Sequence, residues 1–311
     1  MSTQSEPADA RRAPGLHAVM GERRQLINLG YRLLGSVTDA EDVVQETYAR
    51  WYAMSPPQRE AIGSAGAWLT TVAGRICLDL LRSARARRER YVGEWVPEPL
   101  PDRTEWVGLR SGDGTADPAD RVTLDESVAM AFLVVLESMT PAERVAFVLH
   151  DVFRYPFAEV AAIVGRTPSA CRQLATSARR RIRAARTPDA AAARSAGVVR
   201  EFRLAWEAKD IGAIVRLLDP AATVVADGGG LARTALRPIE GGERIARYAL
   251  DIAAGVPGLV VLERTVNGQP GLVVQRDGVT VTVVAFDVVG DRIRRMWVVR
   301  NPEKLGPWRR G

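Results

Sequence analysis

The sequence predicts a multidomain chain: two all-α modules, the second built around a helix-turn-helix, followed by an α+β domain in which helices precede an antiparallel sheet. Three observations predict this. The run YPFAEVAAIVGRTPSACRQLATSARRRIR at 155–183 reads as two short helices joined by a tight turn. Between residues 91 and 119 the chain becomes rich in Gly, Pro and Asp and loses its periodicity, which separates the helical regions on either side. Beyond Val198 the texture changes to two or three helices and then to alternating, Val-rich runs divided by turn signals.

The totals bound the function. At 311 residues, 47% apolar and 26% charged, the chain is long enough for two or three folded domains. No stretch approaches the roughly 20 apolar residues of a membrane span, and the opening MSTQSEPADARRAPG lacks a signal peptide's apolar core. A cytoplasmic location with no membrane partner is expected. Cys77 and Cys171 lie far apart inside helical patterns, so they predict core thiols, neither a disulfide framework nor a zinc set. His17 and His150 are the only histidines, which argues against triad or histidine–metal chemistry; no catalytic residue, metal or cofactor is expected. The net charge is +6 and Lys209 and Lys304 are the only lysines, so the positive charge is carried by arginine, a bidentate phosphate binder. It is segregated: residues 165–186 hold seven arginines and no acid, whereas DAEDVVQE at 39–46 is acidic. Two different partners are implied.

Taken in order, residues 1–14 read as a polar tail. Helical spacing then runs through Leu26, Leu29 and Leu33, breaks at GSVTDAED, and resumes through Val43, Val44, Thr47, Tyr48 and Trp51, with Thr38 or Asp39 as the expected N-cap. SPPQREAIGSAG reads as a loop. AWLTTVAGRICLDLLRSARARRER reads as one long amphipathic helix with a stripe of Trp68 or Leu69, Val72, Ile76 and Leu80 and a basic second half. After the aperiodic stretch, ESVAMAFLVVLESMTPAERVAFVLHDVF gives two helices divided by MTPAE, where Thr140 caps, Pro141 sits at N1 and Glu143 completes a capping box. The Ala-rich residues 187–196 form a second linker. LVVLERTV, GLVVQRD, VTVTVVAFDVV and RIRRMWVVR are strands, separated by NGQPG, RDG and VGD turns.

In the helix-turn-helix, Ala161 is small enough for the helix crossing and Gly165 suits the turn; Val160, Val164, Cys171 and Leu174 face inward. Thr167 and Pro168 start the second helix. It presents Ser169, Ala170, Arg172 and Gln173, after Arg166, where a recognition helix meets base edges, and Arg179, Arg180 and Arg183 where it meets phosphates.

A helix-turn-helix alone says only that DNA is bound, but its context is more specific. From about Leu16 to Arg186 the chain resembles the extracytoplasmic-function group of the bacterial sigma-70 family. YRLLGSVTDAEDVVQETYARWY is similar to sigma region 2 up to its polymerase-binding helix, AWLTTVAGRICLDLLRSARARRER to the part that meets the −10 promoter element, and LESMTPAERVAFVLHDVFRYPFAEVAAIVGRTPSACRQLATSARRRIR to region 4. The resemblance implies two partners, core RNA polymerase and promoter DNA. It assigns polymerase binding to Asp39, Glu41, Asp42, Gln45 and Glu46, −10 contacts to Trp68, Arg75, Asp79, Arg82 and Arg85, and −35 contacts to the helix-turn-helix residues above. For Trp68, core packing competes with base stacking.

The carboxy-terminal third resembles the SnoaL-like, nuclear-transport-factor-like cone, some of whose members are isomerases or cyclases. Asp227, Asp251, Glu263 and Asp287 are its acid–base candidates, and no convincing motif pairs them. Three strings, YVGEWVPEPL, DGGG at 227–230 and NPEKL at 301–305, are similar to signatures of a sigma-J-like subgroup in which a fused SnoaL-like domain regulates the sigma region. On that resemblance Trp95, Pro97, Asp227, Gly228, Gly229, Gly230, Asn301, Pro302 and Lys304 form an intramolecular regulatory contact. Two positions depart from the pattern: Leu231 stands where the subgroup has lysine, and Glu303 where it has aspartate. The expected division is a tail (1–14), region 2 (15–91), a linker (92–121), region 4 (122–186), a linker (187–196) and the cone (197–311). A helix-turn-helix repressor or activator with a ligand-binding cone, and a bifunctional protein with an isomerase-like cone, are the competing readings.

Overall fold

The computed structural model describes residues 13–88, 91–101, 129–185, 192–255 and 257–309, with the side chains of 13–21, 84–88, 192 and 253–255 outside that description. The expected tail lies almost wholly outside the described residues. Two bodies emerge, one from residues 1–83 and 140–178, the other from residues 84–139 and 179–311.

In the first body, α1 (Ala13–Leu34) and α2 (Val37–Ala53) pack where Gly30 meets Ala40; a Cβ on Gly30 would come within 2.9 Å of the Ala40 methyl. Helix α2 is capped by Ser36, whose hydroxyl accepts from the Asp39 amide, rather than by Thr38 or Asp39. The expected loop after α2 contains a single-turn helix α3 (Pro56–Glu60), closed by the capping box of Ser55 and Gln58. Helix α4 (Ala65–Arg88) is the long helix expected, but its most buried face runs through Leu69, Ala73, Cys77, Leu78 and Leu81. Of the stripe read from the sequence, Leu69 is buried while Val72, Ile76 and Leu80 are half-buried; Ala73 and Gly74 turn inward instead, and Ile163 presses on Gly74, where a Cβ would meet its Cγ2 at 2.9 Å.

The helix-turn-helix belongs to the same body as far as Ala178. Helix α6 (Pro141–Phe147) carries the Thr140–Glu143 capping box and continues into a π turn (Val148–Val152); α7 (Phe157–Val164) and α8 (Pro168–Ala185) follow. Gly165 ends α7 at φ 72°, the left-handed conformation a helix terminus favours in glycine. Polar pins join these helices to α1 and α4. The Arg144 guanidinium donates to the Leu33 carbonyl at the end of α1 (2.8 Å), and burial lowers its pKa to about 9. Gln25 donates to the Tyr155 hydroxyl (3.0 Å), which also bonds the Thr70 hydroxyl at 2.8 Å.

In the second body, α9 (Ala192–Glu207), α10 (Ile211–Leu217) and α11 (Gly242–Gly255) cover one face of a six-stranded sheet of order β2-β1-β6-β5-β4-β3. The strands are β1 (Leu218–Asp227), β2 (Ile239–Glu240), β3 (Leu259–Val266), β4 (Gln269–Arg276), β5 (Val279–Val289) and β6 (Arg292–Val299). The hairpins turn at Asn267–Gly268 and Asp277–Gly278, both residues of each pair at positive φ as type I′ turns require. The sheet is mixed, not wholly antiparallel: β1 runs parallel to β6, because it enters from the helices and not through a hairpin.

Alternation along the strands buries both faces. Phe202, Ile245, Val284, Phe286, Met296 and Val298 pack on the helix side. On the other side Val273, Val283, Ala285, Trp297 and Val299 are covered by Val96 of the segment 91–101, by Trp308, and by Met130 and Val134 of α5 (Met130–Glu137). This helix, expected to belong with region 4, packs on the sheet.

Candidate functional site

The acidic stretch lies on the first turns of α2. Val43, Val44 and Thr47 point into the core, which leaves Asp39, Asp42, Gln45 and Glu46 exposed and Glu41 half-buried. Glu46 forms an exposed i,i+4 pair with Arg50 at 2.8 Å. An anionic surface at a helix N-terminus is stabilised by the helix dipole and open to a cationic partner.

On α4, Trp68 is half-buried and lies against Trp51, ring centroids 5.2 Å apart. Arg75 reaches across to the Ala162 carbonyl of α7 (3.0 Å), whereas Asp79 and Arg82 pair with each other in solvent at 3.1 Å. Arg85 lies on the same helix, its side chain outside the described residues. Of the four positions whose side chains are described, Arg75, Asp79 and Arg82 are exposed and Trp68 is half-buried.

The second helix of the helix-turn-helix is more uniform. The Thr167 hydroxyl accepts from the Ala170 amide (3.2 Å), fixing the first turn, and Cys171, Ala175 and Ala178 are buried. Leu174, expected inside, is only half-buried. The Ser177 hydroxyl donates to Glu143 at 2.6 Å and pins α8 to α6. Arg166, Ser169, Arg172, Gln173, Arg180 and Arg183 are exposed, with Ala170 and Arg179 half-buried; Arg172 lies 5.6 Å from the Phe157 ring centroid.

The most developed polar centre is in the second body. Asp227, the last residue of β1, is fully buried, and all of its oxygens are used. Oδ1 accepts from the Tyr91 hydroxyl (2.7 Å) and the Gly229 amide (3.0 Å); Oδ2 accepts from the Val96 amide (3.0 Å) and Lys304 Nζ (2.7 Å). Its backbone carbonyl takes the amides of Arg300 (2.7 Å) and Asn301 (3.0 Å). The Lys304 ammonium also donates to the Val96 carbonyl and sits 4.0 Å from the Trp95 ring centroid. Burial, followed by the neighbouring Asp227 carboxylate, pushes the Tyr91 hydroxyl pKa up, so the phenol stays a neutral donor. Asn301 donates to that same hydroxyl (2.9 Å).

Glycine is required beside this centre. A Cβ on Gly229, already at φ 62°, would fall 2.4 Å from Asn301 Nδ2, and one on Gly228 would fall 2.2 Å from the Ala232 carbonyl. Pro97 is buried, Pro302 half-buried, and Leu231 is 63% exposed. Further along, Trp308 Nε1 donates to the Pro99 carbonyl (2.8 Å), and Asn267 exchanges two bonds with Leu100 (2.8 and 3.0 Å). Tyr91, Asn267 and Trp308 were not among the expected contacts. Tyr91 opens the YVGEWVPEPL string and was legible there; the other two are isolated in sequence from anything they touch.

The acid–base candidates do not converge. Asp227 is neutralised by Lys304, Glu263 pairs with Arg200 and Arg203, Asp287 with Arg294, and Asp251 is exposed. Among the described residues no cluster of His, Cys, Asp or Glu could hold a metal, and no helix is long and apolar enough to cross a membrane.

Family models match in two places, Sigma-70 region 2 at residues 18–87 and Sigma-70, region 4 at residues 129–182. The ECF RNA polymerase sigma factor SigJ of Mycobacterium tuberculosis is 38% identical over 91% of this chain and 90% of its own. The probable ECF RNA polymerase sigma factor SigI of the same species is 34% identical over 92% and 93%. The crystal structure of SigJ superposes with a TM-score of 0.72 at 34% identity, covering 94% of this chain and 98% of the other.

Proposed function

Because the chain belongs to the extracytoplasmic-function sigma factors, transcription-initiation proteins and not enzymes, we propose that its fused SnoaL-like domain controls the sigma module from within the same polypeptide. The segment 91–101 is the control element. The observation that carries this reading is the Asp227 centre, which joins Tyr91 and Val96 of that segment to Asn301 and Lys304 at the far end of the chain. A surface-bound linker needs no buried ion pair. A segment that must be held in one place, and released as a unit, is well served by one, because removing either charge leaves the other buried and unpaired.

In this reading Asp39, Glu41, Asp42, Gln45 and Glu46 meet cationic helices of core polymerase. Arg166, Ser169, Ala170, Arg172 and Gln173 read the −35 element, while Arg179, Arg180 and Arg183 hold its phosphates. Arg75, Asp79, Arg82 and Arg85, with Trp68, serve the −10 element once the contact of Arg75 with α7 has opened. Trp95, Pro97, Gly228, Gly230 and Pro302 shape the control centre around Asp227, Gly229, Asn301 and Lys304.

Run-off transcription with purified core RNA polymerase, on a promoter selected from random DNA, tests the reading. The intact chain, the full-length Lys304→Met variant and a chain ending at Arg186 are compared. Transcription that requires the protein and differs between the intact chain and Lys304→Met supports linker control. Equal activity of all three overturns it, and polymerase-independent duplex binding without transcription would identify an ordinary repressor or activator.

A further inference from the structure

The second body encloses a cavity of about 270 Å³ between the inner face of the sheet and helices α9 and α11. Its walls are apolar, with Phe202 and Trp206 on one side and Leu272, Val284 and Met296 on the other. Its charge is one-sided: Arg203, Arg276, Arg300 and Arg309 line it, and no Asp or Glu is among the described lining residues. Arg203 is satisfied by Glu207 (2.7 Å) and Glu263 (2.9 Å). The others form no ion pair among the described residues. Arg300 is the most telling. It is half-buried, its Nη1 donates to the Arg233 carbonyl, and its Nε is shielded from solvent with no hydrogen-bond partner among the described residues.

A shielded guanidinium donor left unsatisfied beside an apolar chamber is an unfavourable arrangement that an anionic group would relieve. Arg276 and Arg309 are exposed to solvent, so the shielded Nε of Arg300, in a described lining that holds no acid, is the donor that calls for a ligand. We propose that the cavity binds a small amphipathic organic anion, its aliphatic or aromatic body against Phe202, Trp206 and Met296 and its carboxylate or sulfonate on Arg300. Catalysis is not part of this inference, since no acid–base pair is among the described lining residues.

The position also bears on control. Ala232, Pro302 and Leu305 line the same cavity, and the Arg300 amide bonds the Asp227 carbonyl at 2.7 Å. An occupant therefore touches the two loops that hold residues 91–101; that it changes their grip rests on the linker-control reading above.

Isothermal titration calorimetry of the full-length protein with sodium decanoate is the test, with decanol and decylamine as neutral and cationic comparators. Folding of each variant is checked by circular dichroism. Saturable one-to-one binding of decanoate, weakened about tenfold or more by Arg300→Gln, blocked by the cavity-filling Ala249→Phe, and stronger than that of both comparators, is the expected result. Absence of saturable binding, equal affinity for all three probes, or affinity unaffected by either substitution overturns the proposal. Binding is read without polymerase. Intact binding with transcription unchanged by Lys304→Met would thus count against linker control alone.

Discussion

Lys304 holds its position because everything around it is shaped for an ammonium: a carboxylate at 2.7 Å, the Val96 carbonyl, and the face of Trp95. The Lys304→Met variant leaves Asp227 buried with three neutral donors and no countercharge. We expect it to lower the stability of the second body by about 3–5 kcal/mol, with the double variant Asp227→Asn/Lys304→Met recovering part of the loss; urea denaturation of the full-length variants measures both. Gly229→Ala should cost more than about 1 kcal/mol, because it combines a positive φ with a Cβ 2.4 Å from Asn301. Its companion readout is faster proteolytic cleavage within residues 91–101. At this scale the sequence was only partly legible. DGGG and NPEKL could be marked as strings, but that Asp227 and Lys304 form one ion pair depends on a fold that brings positions 77 residues apart together. The Ser36 cap was missed because three polar residues compete within GSVTDAED, and only the backbone decides between them.

Elements were far easier to read where the signal is local. Thr140, Pro141 and Glu143 specify a helix start within four residues, and Asn267–Gly268 and Asp277–Gly278 specify hairpins within two, so both could be placed without knowing the fold. Strand β1 could not, since Asp219 and Pro220 interrupt its alternation and its main partner, β6, lies far along the chain. The face of α4 was displaced for a related reason: Gly74 and Ala73 are inward because Ile163 of α7 needs the room. That contact offers a direct test. Gly74→Val should wedge α4 from α7, free Arg75 from the Ala162 carbonyl, and raise run-off transcription if the packed arrangement is restraining. For α8, Arg180→Ala and Arg183→Ala should each lower the salt-dependence slope of holoenzyme binding to a −35 element by about 1, whereas Gln173→Ala should relax base preference there and leave the slope unchanged.

For the whole molecule, the order of the chain and the grouping of its parts diverge. The segment 91–101 lies in sequence between the two sigma regions and α5 (Met130–Glu137) opens the second of them, yet both pack with the carboxy-terminal domain, on the sheet face opposite its helices. A chain ending at Arg186 should therefore expose Val96, Met130 and Val134. Increased fluorescence of an anilinonaphthalene dye relative to the intact chain measures this, and it makes Lys304→Met the cleaner probe of control. The same arrangement sets a schedule. Synthesis proceeds from the amino terminus, so both promoter-reading helices leave the ribosome before Asn301, Lys304 and Trp308 exist. On the proposed reading each new molecule passes through a short unlatched interval, and a product interrupted before NPEKL never leaves it. Translational stalling and trimming at the carboxy terminus would then act as inputs to transcription, with no separate signal molecule required.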